Sequence, residues 1–202
     1  MPYSATERPT IRAVQAGDGP IVRDACVQML LDAPEAFDAT LTEVEGRSSS
    51  EWVLFVERCA RGTDMSAFLA EDGSGVCGFV RADATDPRIP PGTVLVSQLW
   101  AAPRQRGIGL GRELMNAVTK WAEDRQAARI SLGVVESNLE VQKFYERLGY
   151  ADIGIRVPLP SNPTMQVVVM AKKLGSQTEA SRSETDYNLS AHNSCRGQTD
   201  GL

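Results

Sequence analysis

Residues Arg104–Arg112 read Arg-Gln-Arg-Gly-Ile-Gly-Leu-Gly-Arg. Glycines at alternate positions (Gly107, Gly109 and Gly111) leave the backbone without Cβ atoms, so a ligand can approach it closely. The segment follows a β-branched strand and opens an amphipathic helix. The unpaired N–H groups of a first helical turn point outward, and the helix dipole favours an anion there. Arg106 and Arg112 add positive charge. Together these residue types make a pyrophosphate cradle. A P-loop needs GxxxxGK[ST], and the lysine and hydroxyl residue are both missing, so magnesium-assisted nucleotide chemistry is not expected. A dinucleotide fingerprint needs GxGxxG, with an acid about 20 residues on. Here the spacing is GxGxG, and Glu123 and Asp124 fall nearer, inside the helix. The plainer alternative is a strand–helix turn that needs glycine only for packing.

The elements that must hold this turn alternate along residues 10–174. Thr10–Gln15 alternates as a strand. Pro20–Leu31 reads as a helix, Pro34–Phe37 breaks it into a loop, and Ser49–Arg61 is a second helix with Trp52, Phe55, Val56 and Cys59 on one face. Met65–Glu71 and Val76–Arg81 are strands joined by the Asp72-Gly73-Ser74-Gly75 hairpin signal. Asp86–Gly92 is a loop and Thr93–Trp100 a strand. Gly109–Gln126 is a helix with Leu110, Leu114, Ala117/Val118 and Trp121 at helical spacing. Arg129–Val135 is a strand, and Ser137–Leu148 is a helix stopped by Gly149. Tyr150–Arg156 and Met165–Leu174 are closing strands. The order β-α-α-β-β-β-α-β-α-β-β predicts one α/β domain: a single mixed β-sheet flanked by helices.

The 202-residue chain has 42% hydrophobic and 23% charged residues, close to an ordinary globular protein. Its net charge of −5 argues against a nucleic-acid partner, which selects basic surfaces. No run of 18 apolar residues predicts a membrane span, and the polar Met1–Thr10 segment does not read as a signal peptide. Cys26, Cys59, Cys77 and Cys195 form no CxxC or zinc spacing, which fits reduced thiols in a cytoplasmic protein. The single histidine, His192, lies in a polar stretch, so neither a metal site nor a histidine triad is expected. Residues 1–9 read as a flexible N-terminus. Residues 175–202 are rich in Ser, Thr, Asn, Gln and Gly and read as a disordered tail.

Two segments resemble the GNAT superfamily of acyl-CoA N-acyltransferases. Arg106-Gly107-Ile108-Gly109-Leu110-Gly111 is similar to its [RQ]xxGx[GA] signature. Asn138–Tyr150 resembles its NxxAxxFYxxxGF helix, with Val141 in place of Ala and Tyr150 in place of Phe. Both motifs occur in order, and the element order matches over residues 10–174. The resemblance implies a splayed sheet with acetyl-CoA between the fourth and fifth strands. By that analogy, backbone groups at Leu99, Trp100 and Ala101 pair with the pantetheine arm, one N–H polarising the thioester carbonyl. The amides of Arg106, Gly107, Ile108, Gly109, Leu110, Gly111 and Arg112 hold the pyrophosphate, and Asn138 touches the cofactor arm. Tyr145 matches the family's tyrosine, and its phenol can give a proton to the departing thiolate; packing on the core face of its helix is the alternative.

The resemblance leads us to expect an N-acetyltransferase that moves the acetyl group from acetyl-CoA to a primary amine by direct transfer in a ternary complex, without a metal. No cysteine lies in either motif to form an acyl-enzyme. The fourth strand, Thr-Val-Leu-Val-Ser-Gln-Leu-Trp, contains no carboxylate, so the base is a water chain or a residue from elsewhere; Glu136 and Glu35 are weak candidates. Asp24–Glu51 holds seven acidic residues against Arg47, which as a rim would attract a small cationic amine; a solvated helix face is the alternative. Trp52 and Trp121 read as core, whereas Trp100 is a candidate pocket wall. A non-catalytic acyl-CoA sensor and a peptide acetylase are the rival readings. A small-molecule amine is the expected partner, with a homodimer as the candidate assembly.

Overall fold

A computed structural model describes residues 8–175. Residues 1–7 and 176–202, which carry most of the expected N-terminal segment and polar tail together with His192 and Cys195, lie outside the described residues. The elements run β1 (Thr10–Ala13), α1 (Gly19–Asp32), a 3-10 turn (Pro34–Ala36), α2 (Leu41–Gly46), α3 (Ser49–Arg61), β2 (Met65–Asp72), β3 (Gly75–Asp83) and β4 (Thr93–Ala101). A second 3-10 turn (Pro103–Gln105) leads to α4 (Leu110–Glu123), β5 (Arg129–Val135), α5 (Leu139–Glu146), β6 (Ala151–Leu159) and β7 (Asn162–Lys173). The strands form one seven-stranded sheet in the order β1-β2-β3-β4-β5-β7-β6. Only β4 and β5 run parallel. Helix α4 supplies the crossover that a parallel pair requires.

The helices are placed by their apolar faces. Helix α4 buries Leu110, Leu114, Met115, Val118 and Trp121. It lies so close to β3 that a Cβ on Gly78 would stand 3.0 Å from Leu114 and 3.1 Å from Ala70. The helix can pack at this depth because position 78 carries no side chain. Helices α1 and α3 cover the opposite face with Val22, Met29, Leu30, Trp52 and Val56. On that side Trp100, the cross-strand partner of Phe79, donates its indole N–H to Asp32 at the end of α1 at 3.0 Å.

The observed ends depart from the periodic pattern where the backbone forbids it. Gly109 has φ 93° and so precedes α4 rather than opening it, and Gln126 at φ 57° lies beyond its end. Asn138 caps α5, and Gly149 at φ 87° follows its last turn. The stretch expected as loop between the first two long helices contains α2. That helix is started by a capping box, in which the Thr40 N–H donates to Glu43 Oε2 at 2.8 Å and the Glu43 N–H to Thr40 Oγ1 at 3.3 Å.

One carboxylate ties the β2–β3 turn to the segment ahead of α4. Asp72 accepts from Gln105 Nε2 at 2.7 Å, from Arg104 Nε at 3.2 Å and from the Ser74 N–H at 2.8 Å. The Arg104 contact and the neutral donors pull the Asp72 carboxyl from its ordinary 3.8 down to about 2. A carboxyl held low in the folded state stabilises the fold above its unfolded value, and that contribution is lost as pH falls towards 2. Asp72→Asn is therefore expected to destabilise the protein by about 1 kcal/mol at neutral pH, because Arg104 is half in solvent and screening limits the pair. Chemical denaturation at pH 7 and pH 2.5 checks this: the difference between wild type and variant should shrink at the lower pH.

Candidate active site

The site begins where two strands part. β4 and β5 pair from Thr93–Arg129 to Val96–Leu132 and no further. Beyond that point β5 stays with β7 as far as Val135–Val167. β4 instead follows β3, and it does so with one extra residue. The register passes from Arg81–Ser97 to Phe79–Trp100, and Gln98 sits at φ 59°. Such a bulge bends its own strand, here away from β5. The edge of β4 from Ser97 to Ala101 that faces β5 has no strand partner, and its backbone amides and carbonyls need one from elsewhere.

Two joined cavities fill this gap, sharing Ser97, Gln98, Leu132 and Gly133 in their walls. The narrower one reaches Leu99, Asn138, Val141 and Tyr145. The wider one, about 330 Å³, runs between Phe37, Arg88 and Ile89 on one side and Val157, Leu159 and Pro160 of the β6–β7 hairpin on the other. This size is at the lower end of small-molecule sites, roughly 300–1,000 Å³. Ser161 Oγ donates to the Phe37 carbonyl at 2.6 Å, which joins the hairpin to the segment after α1 across the cavity. Gly133 keeps the β5 wall bare, since a Cβ there would lie 2.7 Å from Val167.

The glycine turn stands next to the open edge of β4. Gly107 (φ 79°) and Gly109 (φ 93°) both need left-handed backbone, and no atom lies within 4 Å of where their Cβ atoms would be. That combination leaves room for a phosphate against the backbone. The first-turn amides of the 14-residue α4 open on the same place. Gly111 serves packing instead, since its Cβ would be 3.3 Å from Phe144 and its absence lets α4 and α5 close on each other. The Leu110 side chain is buried in the core and leaves only its amide for a ligand, while Ile108 and Arg112 are at least partly exposed. Arg106 does not hang free. Its guanidinium is paired with Asp32 and donates to the Ala101 carbonyl at 3.0 Å.

Tyr145 lines the narrower cavity and is only 6% exposed. Its ring packs edge-on to Phe144 at 5.1 Å and to Tyr150 at 5.6 Å. Burial raises its phenol well above the ordinary range, so it carries its proton at neutral pH. Asn138 accepts the Val141 N–H at 3.2 Å, so the residue that lines the cavity also starts α5. Trp100 is buried with its indole on Asp32 and lines neither cavity. Neither candidate base reaches the walls: Glu136 is held by Arg156 at 2.9 Å, and Glu35 is exposed on the 3-10 turn. Of the seven acids between Asp24 and Glu51, Asp38 alone lines the wider cavity, 3.8 Å from Arg88. Glu43 and Glu51 are used in capping boxes, and Asp32 is taken by Trp100 and Arg106. The sequence pattern does not single out Phe37, Arg88, Ser97, Gln98 or Ser161. The Pro-Glu-Ala-Phe break is the one signal near them, and nothing in a strand pattern marks the bulge. Among the described residues no group of His, Cys, Asp or Glu could hold a metal, and no helix is long and apolar enough to cross a membrane.

A mixed sheet that opens between its two parallel strands beside a glycine turn at a helix N-terminus is the arrangement that the resemblance to the GNAT superfamily implies. The chain matches the model of the acetyltransferase (GNAT) family over residues 29–150, and it belongs to that family. It is 31% identical to the mycothiol acetyltransferase of Thermobispora bispora over 123 residues, which is 59% of this chain and 38% of that protein. It is 33% identical over 82 residues to an uncharacterized N-acetyltransferase of Mycobacterium bovis, covering 41% of this chain and 48% of the relative. The match thus spans less than half the length of these curated relatives. Among solved structures, the yncA protein of Salmonella typhimurium with acetyl-CoA aligns with a TM-score of 0.68 at 16% identity, over 88% of this chain and all of the other. The spermidine N-acetyltransferase of Vibrio cholerae, in complex with CoA and spermine, aligns at 0.62 with 19% identity, over 82% of this chain and 95% of the other. These likenesses establish the fold.

Gly109→Val places a β-branched side chain at a left-handed position and fills the space beside the α4 amides. It is expected to weaken acetyl-CoA binding at least tenfold in a calorimetric titration, with the circular dichroism spectrum of the wild type retained.

Proposed function

We propose that this protein transfers an acetyl group from acetyl-CoA to a primary amine of a small molecule, directly between two bound substrates. The observation that carries the reading is the gap between β4 and β5, which joins the glycine turn and Tyr145 to the enclosed cavity under the β6–β7 hairpin. A roofed cavity of this kind favours a small amine over an extended peptide.

Acetyl-CoA supplies an acyl thioester, whose carbonyl carbon accepts the amine and whose sulfur departs. The chain's own residues do the rest. The amides from Gly107 to Arg112 hold the pyrophosphate, since the Arg106 N–H is given to the Pro103 carbonyl at 3.3 Å. The unpaired edge of β4 at Leu99–Ala101 holds the pantetheine arm and offers an N–H to the thioester oxygen as negative charge develops there. The ammonium form of the substrate first releases one proton to water, because no carboxylate lines the narrower cavity beside Tyr145 and Asn138. The nitrogen–carbon bond forms and the carbon–sulfur bond breaks. The second nitrogen proton leaves to water, and Tyr145 gives its own proton to the sulfur and takes one back from water, so that an amide and a thiol leave. The place of Tyr145 in the wall of the narrower cavity with Leu99 and Asn138 suits this donor role.

Tyr145→Phe keeps the ring packing and removes the proton. It is expected to lower kcat at least tenfold, against the ~10²–10⁴ typical of a positioned acid, with KM for acetyl-CoA moving less than twofold. Steady-state kinetics check this; an unchanged kcat removes Tyr145 from the chemistry.

A further inference from the structure

The joined cavities meet at two polar atoms that are buried and have no hydrogen-bond partner among the described residues, Ser97 Oγ and Gln98 Oε1. Both residues line both cavities. Buried polar atoms are almost always paired, so an unpaired acceptor at the neck of a cavity is where a ligand N–H would fit. Gln98 also occupies left-handed backbone at φ 59° on the bulge, uncommon for any residue but glycine. Strained positions of this kind gather at ligand sites, and the bulge aims the side chain at the gap rather than along the strand. Beyond the neck the walls are apolar, formed by Phe37, Ile89, Leu95, Val157 and Leu159. The charges in the lining face each other: Arg88 stands 3.8 Å from Asp38, and it donates twice to Asp86, at 2.8 and 2.7 Å. Asp38 is the one carboxylate in the lining, and it stands beside Arg88.

Building on the acetyltransferase reading, we infer that the substrate is a primary amine carried on an apolar alkyl or aryl body, whose N–H groups are accepted by Gln98 Oε1 and Ser97 Oγ. The two acceptors turn the nitrogen lone pair towards the thioester without taking a proton, and the body fills the apolar cavity. A polyamine would place its second ammonium among Ile89, Leu95 and Leu159, with Asp38, itself beside Arg88, as the one carboxylate in the lining, and burial penalises a poorly paired charge.

The test uses the full chain. Acetyl-CoA is titrated calorimetrically, and steady-state rates are measured with hexylamine, 2-phenylethylamine and spermidine. The expected result is acetyl-CoA binding, with kcat/KM for the two apolar amines at least tenfold above that for spermidine. Gln98→Met should raise KM for the apolar amine at least tenfold and leave KM for acetyl-CoA within twofold. Gln98→Gly relieves the backbone and removes the same acceptor, so it should show the same KM rise even if Gln98→Met folds poorly. Ser97→Ala should raise the amine KM severalfold. A wild-type amine KM in Gln98→Gly overturns the role of Gln98. A preference for spermidine, or acetyl-CoA binding without transfer to either apolar amine, overturns the substrate class. Absence of acetyl-CoA binding instead defeats the acetyltransferase reading on which it rests.

Discussion

The parallel pairing of β4 and β5 stops at Val96 and Leu132, and most of what the protein can do follows from that stop. Two adjacent strands would normally satisfy each other along their whole length. Here β5 is committed to β7, and β4 carries an extra residue that keeps it with β3. The gap therefore opens where the neighbours on their outer edges lead the two strands apart. It leaves a row of backbone donors and acceptors on β4 facing a space lined by Asn138 and Tyr145 on one side and by the apolar cavity on the other. An extended amide-bearing arm fits such an edge in the way another strand would.

The glycine turn is located by carboxylates of other elements. Asp72, at the end of β2, takes Arg104 and Gln105, and Asp32, at the end of α1, takes Arg106 and Trp100. Partly exposed ion pairs contribute modestly to stability. What they do here is fix the approach to α4 against both faces of the sheet. They also change how an anion would be received. Arg106 is already partnered, so the open backbone at Gly107 and Gly109, with the first-turn amides of α4, is the larger part of the cradle.

The lining of the wider cavity is less acidic than the charge pattern alone suggested. Of the acidic stretch between Asp24 and Glu51, Glu43 and Glu51 cap α2 and α3, and Asp32 and Asp38 face distant arginines. The cavity itself is apolar with a polar neck. Its roof is made by joining segments far apart in the chain, Phe37 and Ser161, through one short hydrogen bond.

How much of this was legible depended on whether a feature is local. The helical periodicity of Leu110, Leu114, Val118 and Trp121, and the alternation of the strands, follow from one face of each element being buried, and they could be read directly. The glycine turn was legible for a related reason, since φ above zero and a first-turn anion site are properties of a short segment, whereas Tyr145 was singled out only through the resemblance to the GNAT superfamily. Helix α2 was missed although Thr-x-x-Glu and Ser-x-x-Glu mark both capping boxes, because its six residues carry too little periodicity to register. The bulge at Gln98 leaves no mark in a strand pattern, since it depends on the registers that β3 and β5 each impose on β4. Likewise the pairing of Arg106 with Asp32, the burial of Ser97 Oγ and the closure of Phe37 onto Ser161 depend on elements remote in sequence. Local backbone chemistry thus pointed to the candidate cradle, and a family motif to the candidate proton donor. Long-range packing decided where the sheet opens, which charges are neutralised and what kind of surface lines the gap, because those depend on which partner each residue finds once the chain has folded.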